Sequence, residues 1–289
     1  MMKFRVVSVF AMVFLLYGIQ KEIDANSSSN PVLEKVLYVE DGLLLKKLSF
    51  GFENLAADLY WLRTVQYFGA QRQKLNGADY SLLEPLLRIT TDLDPDFKIA
   101  YSYGATFLSE PFPMGLGVPT KGIEMIDRGI QTHPQYWRFF LDKGFIYYWH
   151  LQDYKKAAEV FVAGSEIEGA PYWMLTTASR TLSRGGEREM SRELWQLQYD
   201  SATTEQQRSN AAIHLAQLES LDQIELLTKL VMRQYEQSGR FPDSWEQLIE
   251  SGSLSEIPLD PMGNPYVLNP EFQEVQLSSD AGLGFLPRQ

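Results

Sequence analysis

Three prolines stand at nearly equal intervals, and each comes just before a helix-like segment that opens with aromatic residues. They are Pro95, Pro134 and Pro171. A repeat of some tens of residues is typical of solenoids, in which each unit buries its apolar face only against its neighbours. The spacing therefore predicts a stack of similar helical pairs.

Small residues recur on the packing face of these predicted helices. A glycine within a helix costs about 1 kcal/mol relative to alanine, so several glycines in matching places predict close helix packing. The repeat positions are Tyr101, Gly104, Ala105, Leu108, Gly122, Gly129, Phe140, Gly144, Tyr147, Ala157, Phe161 and Gly164. This pattern resembles tetratricopeptide (TPR) repeats, which implies an array of helical hairpins. Another helical-hairpin solenoid is the alternative.

The chain closes on a segment of different character, rich in proline and glycine, after a long predicted helix. Its key residues are Tyr235, Gly239, Phe241, Pro242, Pro258, Asp260, Pro261, Gly263, Pro265 and Tyr266. Their order resembles the region after the long helix in the major pseudopilin of type II secretion systems. The resemblance covers only the end of the chain, and the N-terminus has no Gly-Phe processing site. Ser278, Ser279 and Asp280 alone remain as oxygen donors for the calcium that such pseudopilins bind.

These patterns predict a mainly α fold, a TPR-like helical-hairpin solenoid with a small α+β C-terminal cap. The predicted parts are a membrane anchor or signal segment (1–25), an extended linker (26–50), TPR-like repeats (51–202), closing helices (203–238) and the pseudopilin-like cap (239–289). Residues 31–48 are predicted to be extended around an Asp41-Gly42 turn. A helix is predicted from Phe52 to about Lys74, where Asn76-Gly77 ends it.

The N-terminus has the features of an export or anchor segment. Lys3 and Arg5 precede the apolar run Val6–Ile19, which favours a cytoplasmic N-terminus with the rest of the chain outside. The run is short for a membrane span, so three alternatives remain: an uncleaved anchor, a signal peptide cleaved after Ala25, or a buried helix. The first predicts a protein anchored in the bacterial inner membrane and facing the periplasm. The second predicts secretion to the periplasm.

Composition argues against several classes of function. A net charge of −11 disfavours nucleic-acid binding, and the absence of cysteine excludes disulfides and thiolate chemistry. His133, His150 and His214 do not have the spacing of metal ligands on a helix face. No nucleophile motif or phosphate-binding fingerprint stands out. We therefore expect a protein that is not an enzyme and holds no metal or cofactor.

One predicted helix, Tyr136–His150, carries the candidate binding surface. If Phe140, Gly144 and Tyr147 face the core, the residues on its other side turn toward the groove that first helices line in TPR arrays. These candidates are Arg138, Leu141, Phe145 and Tyr148. Burial of these aromatics against the inserted loop Phe112–Pro119 is the alternative.

The predicted function is a non-enzymatic scaffold or assembly factor of the cell envelope that binds another envelope protein or peptide segment. An accessory subunit of a type II secretion or type IV pilus-like system is the second candidate, and an enzyme the third. The identity of the partner stays open.

Overall fold

In a computed structural model of the chain, the described residues are 42–284, together with Gly18, Lys21, Glu22 and Leu286. Helices dominate this part of the chain, and a two-stranded antiparallel sheet lies near its C-terminal end. The fold is therefore mainly α with a small α+β element after the helices, as predicted. The chain divides into two compact units. Of the described residues, one unit contains those up to Ala70 and Asp79–Phe97, and the other contains Gln71–Ala78 and those from Lys98 onward.

The α-helices from residue 42 onward are α1 (Gly42–Leu48), α2 (Glu53–Gln73), α3 (Leu83–Leu93), α4 (Lys98–Ser109), α5 (Pro119–Thr132), α6 (Trp137–Phe145), α7 (Tyr154–Ser165), α8 (Trp173–Arg184), α9 (Arg188–Asp200), α10 (Glu205–Ser238) and α11 (Trp245–Glu250). A 3₁₀ turn (Leu75–Gly77) follows α2, and a π-helical segment (Ile146–Leu151) follows α6. The two strands are β1 (Val267–Asn269) and β2 (Glu274–Gln276).

The first unit corrects one prediction. Residues 42–48 form helix α1 and are not extended, while residues 31–41 lie outside the described residues. Leu45 packs against the core formed by Ala57, Ile89 and Leu93. A Cβ on Gly42 would stand 2.8 Å from the Cβ of Asp92, so α1 approaches α3 closely. This tertiary packing stabilises a helix in a short apolar run whose period alone is ambiguous.

Helix α2 has the predicted length, and it ends one turn before Asn76-Gly77 as expected. Its buried side is not the side that carries its leucines. Ala57 and Thr64 are fully buried, whereas Leu55, Leu59 and Leu62 are each more than half exposed. Thr64 satisfies its hydroxyl by donating to the carbonyl of Tyr60, which lets a polar residue occupy the core.

In the second unit, each helix from α4 to α9 packs chiefly against its neighbours in the sequence. The predicted glycines lie at these contacts. A Cβ on Gly129 would stand 2.9 Å from the ring of Phe139, and a Cβ on Gly164 would stand 2.6 Å from the Cβ of Phe140. Of the twelve repeat positions, Phe140 and Tyr147 are half-buried and the others are buried. The glycines therefore permit the close approach of consecutive helices.

The predicted helix Tyr136–His150 changes its winding near the middle. Helix α6 ends at Phe145, and Ile146–Leu151 continue as a π-helical segment that Gln152 closes in a left-handed conformation, with φ of 53°. Here Ile146 is buried, and Tyr147 is only half-buried. The wider turn shifts the face on which the following side chains lie, so a uniform helical period does not describe this region.

Helix α10 begins and ends with strong local signals. Thr204 and Gln207 form a capping box at its start, and Gly239 ends it with a left-handed φ of 70°. Its second half carries the cap, whose core contains Val231, Trp245 and Tyr266. The covered face of α10 consists of Ile224, Leu227, Leu230 and Val231.

Leu226, which lies next to this face in the sequence, is 66% exposed. It precedes Leu227 by one residue and therefore points about 100° away around the helix.

The cap contains a turn at Asp260–Gly263, followed by β1 and the antiparallel strand β2. Asp260 is buried, and its Oδ1 accepts hydrogen bonds from the backbone N–H of Met262 (2.8 Å) and of Asn264 (2.9 Å). The indole N–H of Trp245 donates to the carbonyl of Tyr266 at 2.7 Å. The Tyr266 hydroxyl donates to Oε1 of Gln223 on α10 at 2.6 Å. The Asp260 bonds hold the turn and the Trp245 bond joins α11 to Tyr266, while the Tyr266 hydroxyl connects the cap to α10.

Within the part of the chain that the structure describes, no helix is long and apolar enough to cross a membrane. The apolar run Val6–Ile19, on which the membrane prediction depends, lies outside the described residues except for Gly18.

Candidate functional site

Two cavities follow one another along helices α6 and α8 of the second unit. The first, of about 480 Å³, lies between α4, α6 and the start of α8, and we call it the aromatic cavity; it is defined by Tyr103, Tyr136, Trp137, Arg138, Leu141 and Trp173. The second, of about 600 Å³, we call the arginine cavity; it is defined by Phe145, Tyr148, Trp149, Arg180, Arg184 and His214. Both volumes fall in the range of ligand-binding clefts in proteins.

The structure divides the four predicted partner-binding residues between these cavities. Arg138 and Leu141 line the aromatic cavity, and Phe145 and Tyr148 line the arginine cavity. Leu141 and Tyr148 are half-buried and also pack against the core cluster around Phe161. They are therefore walls of the cavities rather than freely exposed groups. Their role in binding stays a prediction.

The aromatic cavity combines exposed rings with cations. Tyr103 is 56% exposed and Trp173 is 47% exposed. Trp173 meets Trp137 edge to face, with their ring centroids 6.2 Å apart. Lys98 lies 4.9 Å from the centre of the Tyr136 ring. Rings held in this way present apolar area at small entropic cost, as protein-binding surfaces require.

One carboxylate lies among these groups. Burial raises the pKa of Asp142, and a hydrogen bond from the Ser102 hydroxyl, at 2.5 Å, opposes that rise together with the charge of Arg138. Within the protein, Asp142 therefore already has a hydrogen-bond donor, Ser102, and a nearby cation, Arg138.

The arginine cavity is cationic. Arg180 and Arg184 project from one face of α8, four residues apart, and both line it. The Arg184 guanidinium lies 5.4 Å from the centre of the Tyr148 ring and 5.9 Å from that of Tyr154. No carboxylate of the described residues lines this cavity or forms an ion pair with either arginine.

The far wall of the arginine cavity comes from α10 and from the C-terminal tail. The His214 ring stacks on the buried ring of Trp195, with centroids 4.1 Å apart, and its Nδ1 lies 2.6 Å from Oε1 of Gln217. Gln217 in turn donates to the carbonyl of Leu283. Leu283 is buried, and Leu286 lines the cavity. The C-terminal tail of the cap therefore returns to α10 beside this cavity.

Sequence reasoning missed the residues that make this cavity cationic. Arg180 and Arg184 carry a local signal, because their spacing places both on one face of α8, but nothing local relates them to His214 or to the tail. His214 was considered only as a metal ligand. In the structure His214 lies in the cavity wall with a hydrogen-bond partner and a stacked ring, and burial lowers its pKa.

The described residues contain no cluster of three or more histidine, aspartate or glutamate side chains that could hold a metal ion. Ser278 and Ser279, the proposed remnants of a calcium loop, engage Asp280 instead. Its backbone N–H donates to the Ser278 hydroxyl at 3.2 Å, and the Ser279 hydroxyl donates to its carboxylate at 3.4 Å.

The chain matches no protein-family model and no curated protein. The likenesses to TPR repeats and to the major pseudopilin thus rest on the residues themselves.

We expect the free energy of unfolding to decrease as the pH falls below the ordinary histidine pKa of 6.5. Burial lowers the pKa of His214 below that value, and the positive charge of Arg180 lowers it further, while the hydrogen bond to Gln217 opposes both. The unfolded chain then binds more protons than the folded chain between the lowered and the ordinary pKa. Urea unfolding at a series of pH values from 7.5 to about 5 measures the effect.

His214→Gln should reduce this pH dependence. His150 contributes a second part, because its pKa is also lowered by burial, against the opposing charge of Glu110. The variant His150→Gln separates the two contributions. If His214→Gln left the pH dependence of unfolding unchanged, the desolvation of His214 described above would be wrong.

Proposed function

We propose that the chain is a non-enzymatic scaffold or assembly factor of the bacterial cell envelope, which binds a partner protein in the groove of a TPR-like helical array. The observation that carries the proposal is the position of the two cavities. Both are lined mainly by α4, α6 and α8, which are the first helices of three successive pairs, and by α10, the helix that follows the last pair. A TPR-like array would present its groove on these same helices.

A repeated contact supports the TPR-like arrangement. Gly129 of α5 meets Phe139 of α6, and Gly164 of α7 meets Met174 of α8. The separation between Gly129 and Gly164 equals the separation between Phe139 and Met174. This separation is close to the roughly 34 residues of a TPR unit. Equivalent second-helix glycines thus meet equivalent first-helix side chains of the next pair.

The partner should bind through the exposed rings of the aromatic cavity. In a pull-down from solubilised membranes, followed by mass spectrometry, the double variant Tyr103→Ala, Trp173→Ala should lose the protein that the wild type captures. Phe272→Ala is the matched control, because Phe272 is 65% exposed and lies outside both cavities. Equal capture by the wild type and the double variant would contradict groove binding.

The accessory-subunit function is a second candidate, favoured by one specific contact. Trp245 and Tyr266 of the cap pack with Val231 on the second half of the long helix α10, and this segment resembles the region that follows the long helix of the major pseudopilin. The same pull-down distinguishes the two candidates, because capture of pseudopilins favours the accessory subunit. Capture of unrelated envelope proteins favours the scaffold.

The envelope location is proposed from Lys3, Arg5 and the apolar run that follows them. We expect alkaline phosphatase fused after Gln289 to be active, because this enzyme matures only outside the cytoplasm. A cytoplasmic reporter fused at the same place should be inactive. The opposite pair of results would contradict the proposed orientation.

A further inference from the structure

We propose that the arginine cavity recognises an acidic segment of the partner protein, one that carries glutamate or aspartate side chains next to an aromatic or aliphatic one. The inference rests on the proposed function and deepens it, because it gives the chemistry of the segment that the groove binds.

Charge is the first argument. The whole chain has a net charge of −11, so a surface chosen at random should carry an excess of carboxylates. The arginine cavity is lined instead by Arg180, Arg184 and His214, and no acidic side chain of the described chain joins them. Long-range repulsion would keep an acidic segment away from most of the surface and leave this cavity as the favourable place.

The state of the arginines is the second argument. Arg184 is oriented by the rings of Tyr148 and Tyr154, and Arg180 lies near enough to His214 to disfavour its protonation. Arginine presents several N–H donors in one plane, which match both oxygens of a carboxylate. Two such groups on one helix face, both without an ion-pair partner in residues 42–284, can each bind a carboxylate of a ligand.

The apolar walls decide between a peptide and a small anion. Trp149 is 62% exposed and Phe145 is 38% exposed, and both line the same cavity as the arginines. A free phosphate or carboxylate would leave these rings in water. A peptide segment with an apolar residue next to its carboxylates would cover them, and a volume of about 600 Å³ accommodates several side chains.

The test uses the purified full-length chain in detergent and three fluorescein-labelled nonapeptides, read by fluorescence anisotropy. The first alternates glutamate with phenylalanine, the second replaces each glutamate by lysine, and the third replaces each phenylalanine by serine. We expect the first peptide to bind, with an affinity that falls as salt is added. The lysine peptide should bind at least ten-fold more weakly, and the serine peptide should be intermediate.

The variants Arg180→Gln and Arg184→Gln should each lower the affinity for the glutamate–phenylalanine peptide by about ten-fold or more, because each removes a charged hydrogen-bond partner. Arg233→Gln is the matched control, since Arg233 is exposed on α10 and does not line the cavity. All three side chains are exposed, so the circular dichroism spectrum and melting temperature should stay those of the wild type.

Several results would overturn the inference. They are the absence of peptide binding by the wild type, equal binding of the lysine peptide, or an equal loss of affinity in Arg233→Gln. Displacement of the peptide by glycerol 3-phosphate, a soluble analogue of an anionic lipid headgroup, would assign the cavity to a phosphate and not to a protein segment. If the peptide does not bind but Tyr103→Ala, Trp173→Ala still loses the partner, this inference alone is rejected. If the double variant captures the partner as well as the wild type does, groove binding itself is rejected.

Discussion

Replacing Gly144 by alanine should destabilise the protein by about 1–3 kcal/mol, the usual cost of overpacking a filled core. The added Cβ would stand 2.5 Å from Cδ1 and 2.8 Å from Cζ of Phe161. Phe161 is fully buried and meets Phe145 edge to face at 5.3 Å, so its ring has no free space to enter. Chemical unfolding followed by circular dichroism measures the difference, and Gly144→Leu should cost more.

Gly69→Ala is the control for Gly144→Ala, and it should increase the free energy of unfolding rather than decrease it. Gly69 also lies within a helix, but a Cβ added there would meet nothing within 4 Å. Alanine is favoured over glycine in an exposed helix by about 1 kcal/mol, so this variant should be slightly more stable than the wild type. If Gly144→Ala stabilised the protein as much as Gly69→Ala, this would contradict the description of α6 and α7 as too close at Gly144 to admit a Cβ.

Trp245→Ala should cost about 3–5 kcal/mol of the stability of the cap, the range found when large aromatic side chains are removed from cores. Trp245 is 7% exposed, it packs in the cluster with Val231 and Tyr266, and its indole N–H satisfies the Tyr266 carbonyl. The change therefore creates a cavity and removes the donor of a buried acceptor. Hydrogen exchange of the amides of residues 240–284 reports the stability of the cap separately from that of the repeats.

The control for Trp245→Ala is Phe272→Ala in the connection between the two strands. Phe272 is 65% exposed, so its removal should change the stability by less than about 0.5 kcal/mol. Faster exchange confined to the cap in Trp245→Ala, with no change in Phe272→Ala, is the expected pair of results. An unchanged exchange rate in both would mean that Trp245 does not anchor the cap to α10.

The parts of the fold that the sequence predicted well are those with local causes. Helix α2 ends at Gln73, shortly before the predicted stop at Asn76-Gly77, and Gly239 ends α10 in a left-handed conformation that other residues rarely adopt. Asp260 and Gly263 form the turn before β1. Each signal acts within a few residues, so it can be recognised without knowledge of the tertiary contacts.

The parts that were missed depend on contacts between distant residues. The residues of α1 were predicted to be extended from their short apolar run and the Asp41-Gly42 turn. The packing partner that makes them helical, α3, lies far along the chain. Similarly, Gln217 and Leu283 are 66 residues apart, and nothing local indicates that they meet. The face of α6 was predicted with a uniform period, which the π-helical segment changes. The four candidate residues were therefore found on cavity walls, but their division between two cavities was not foreseen.

The return of the tail to Gln217 has a thermodynamic consequence. Leu286 lines the cavity and Leu283 accepts a hydrogen bond from Gln217 in its wall, so a ligand in the cavity would contact the tail of the cap. If the folded cap raises the affinity for a ligand by some factor, then the bound ligand raises the folding equilibrium constant of the cap by the same factor. A partner held in the groove would thus protect the C-terminal residues from proteolysis. Unfolding of the cap would in turn weaken ligand binding in the arginine cavity, to which the cap contributes only one edge.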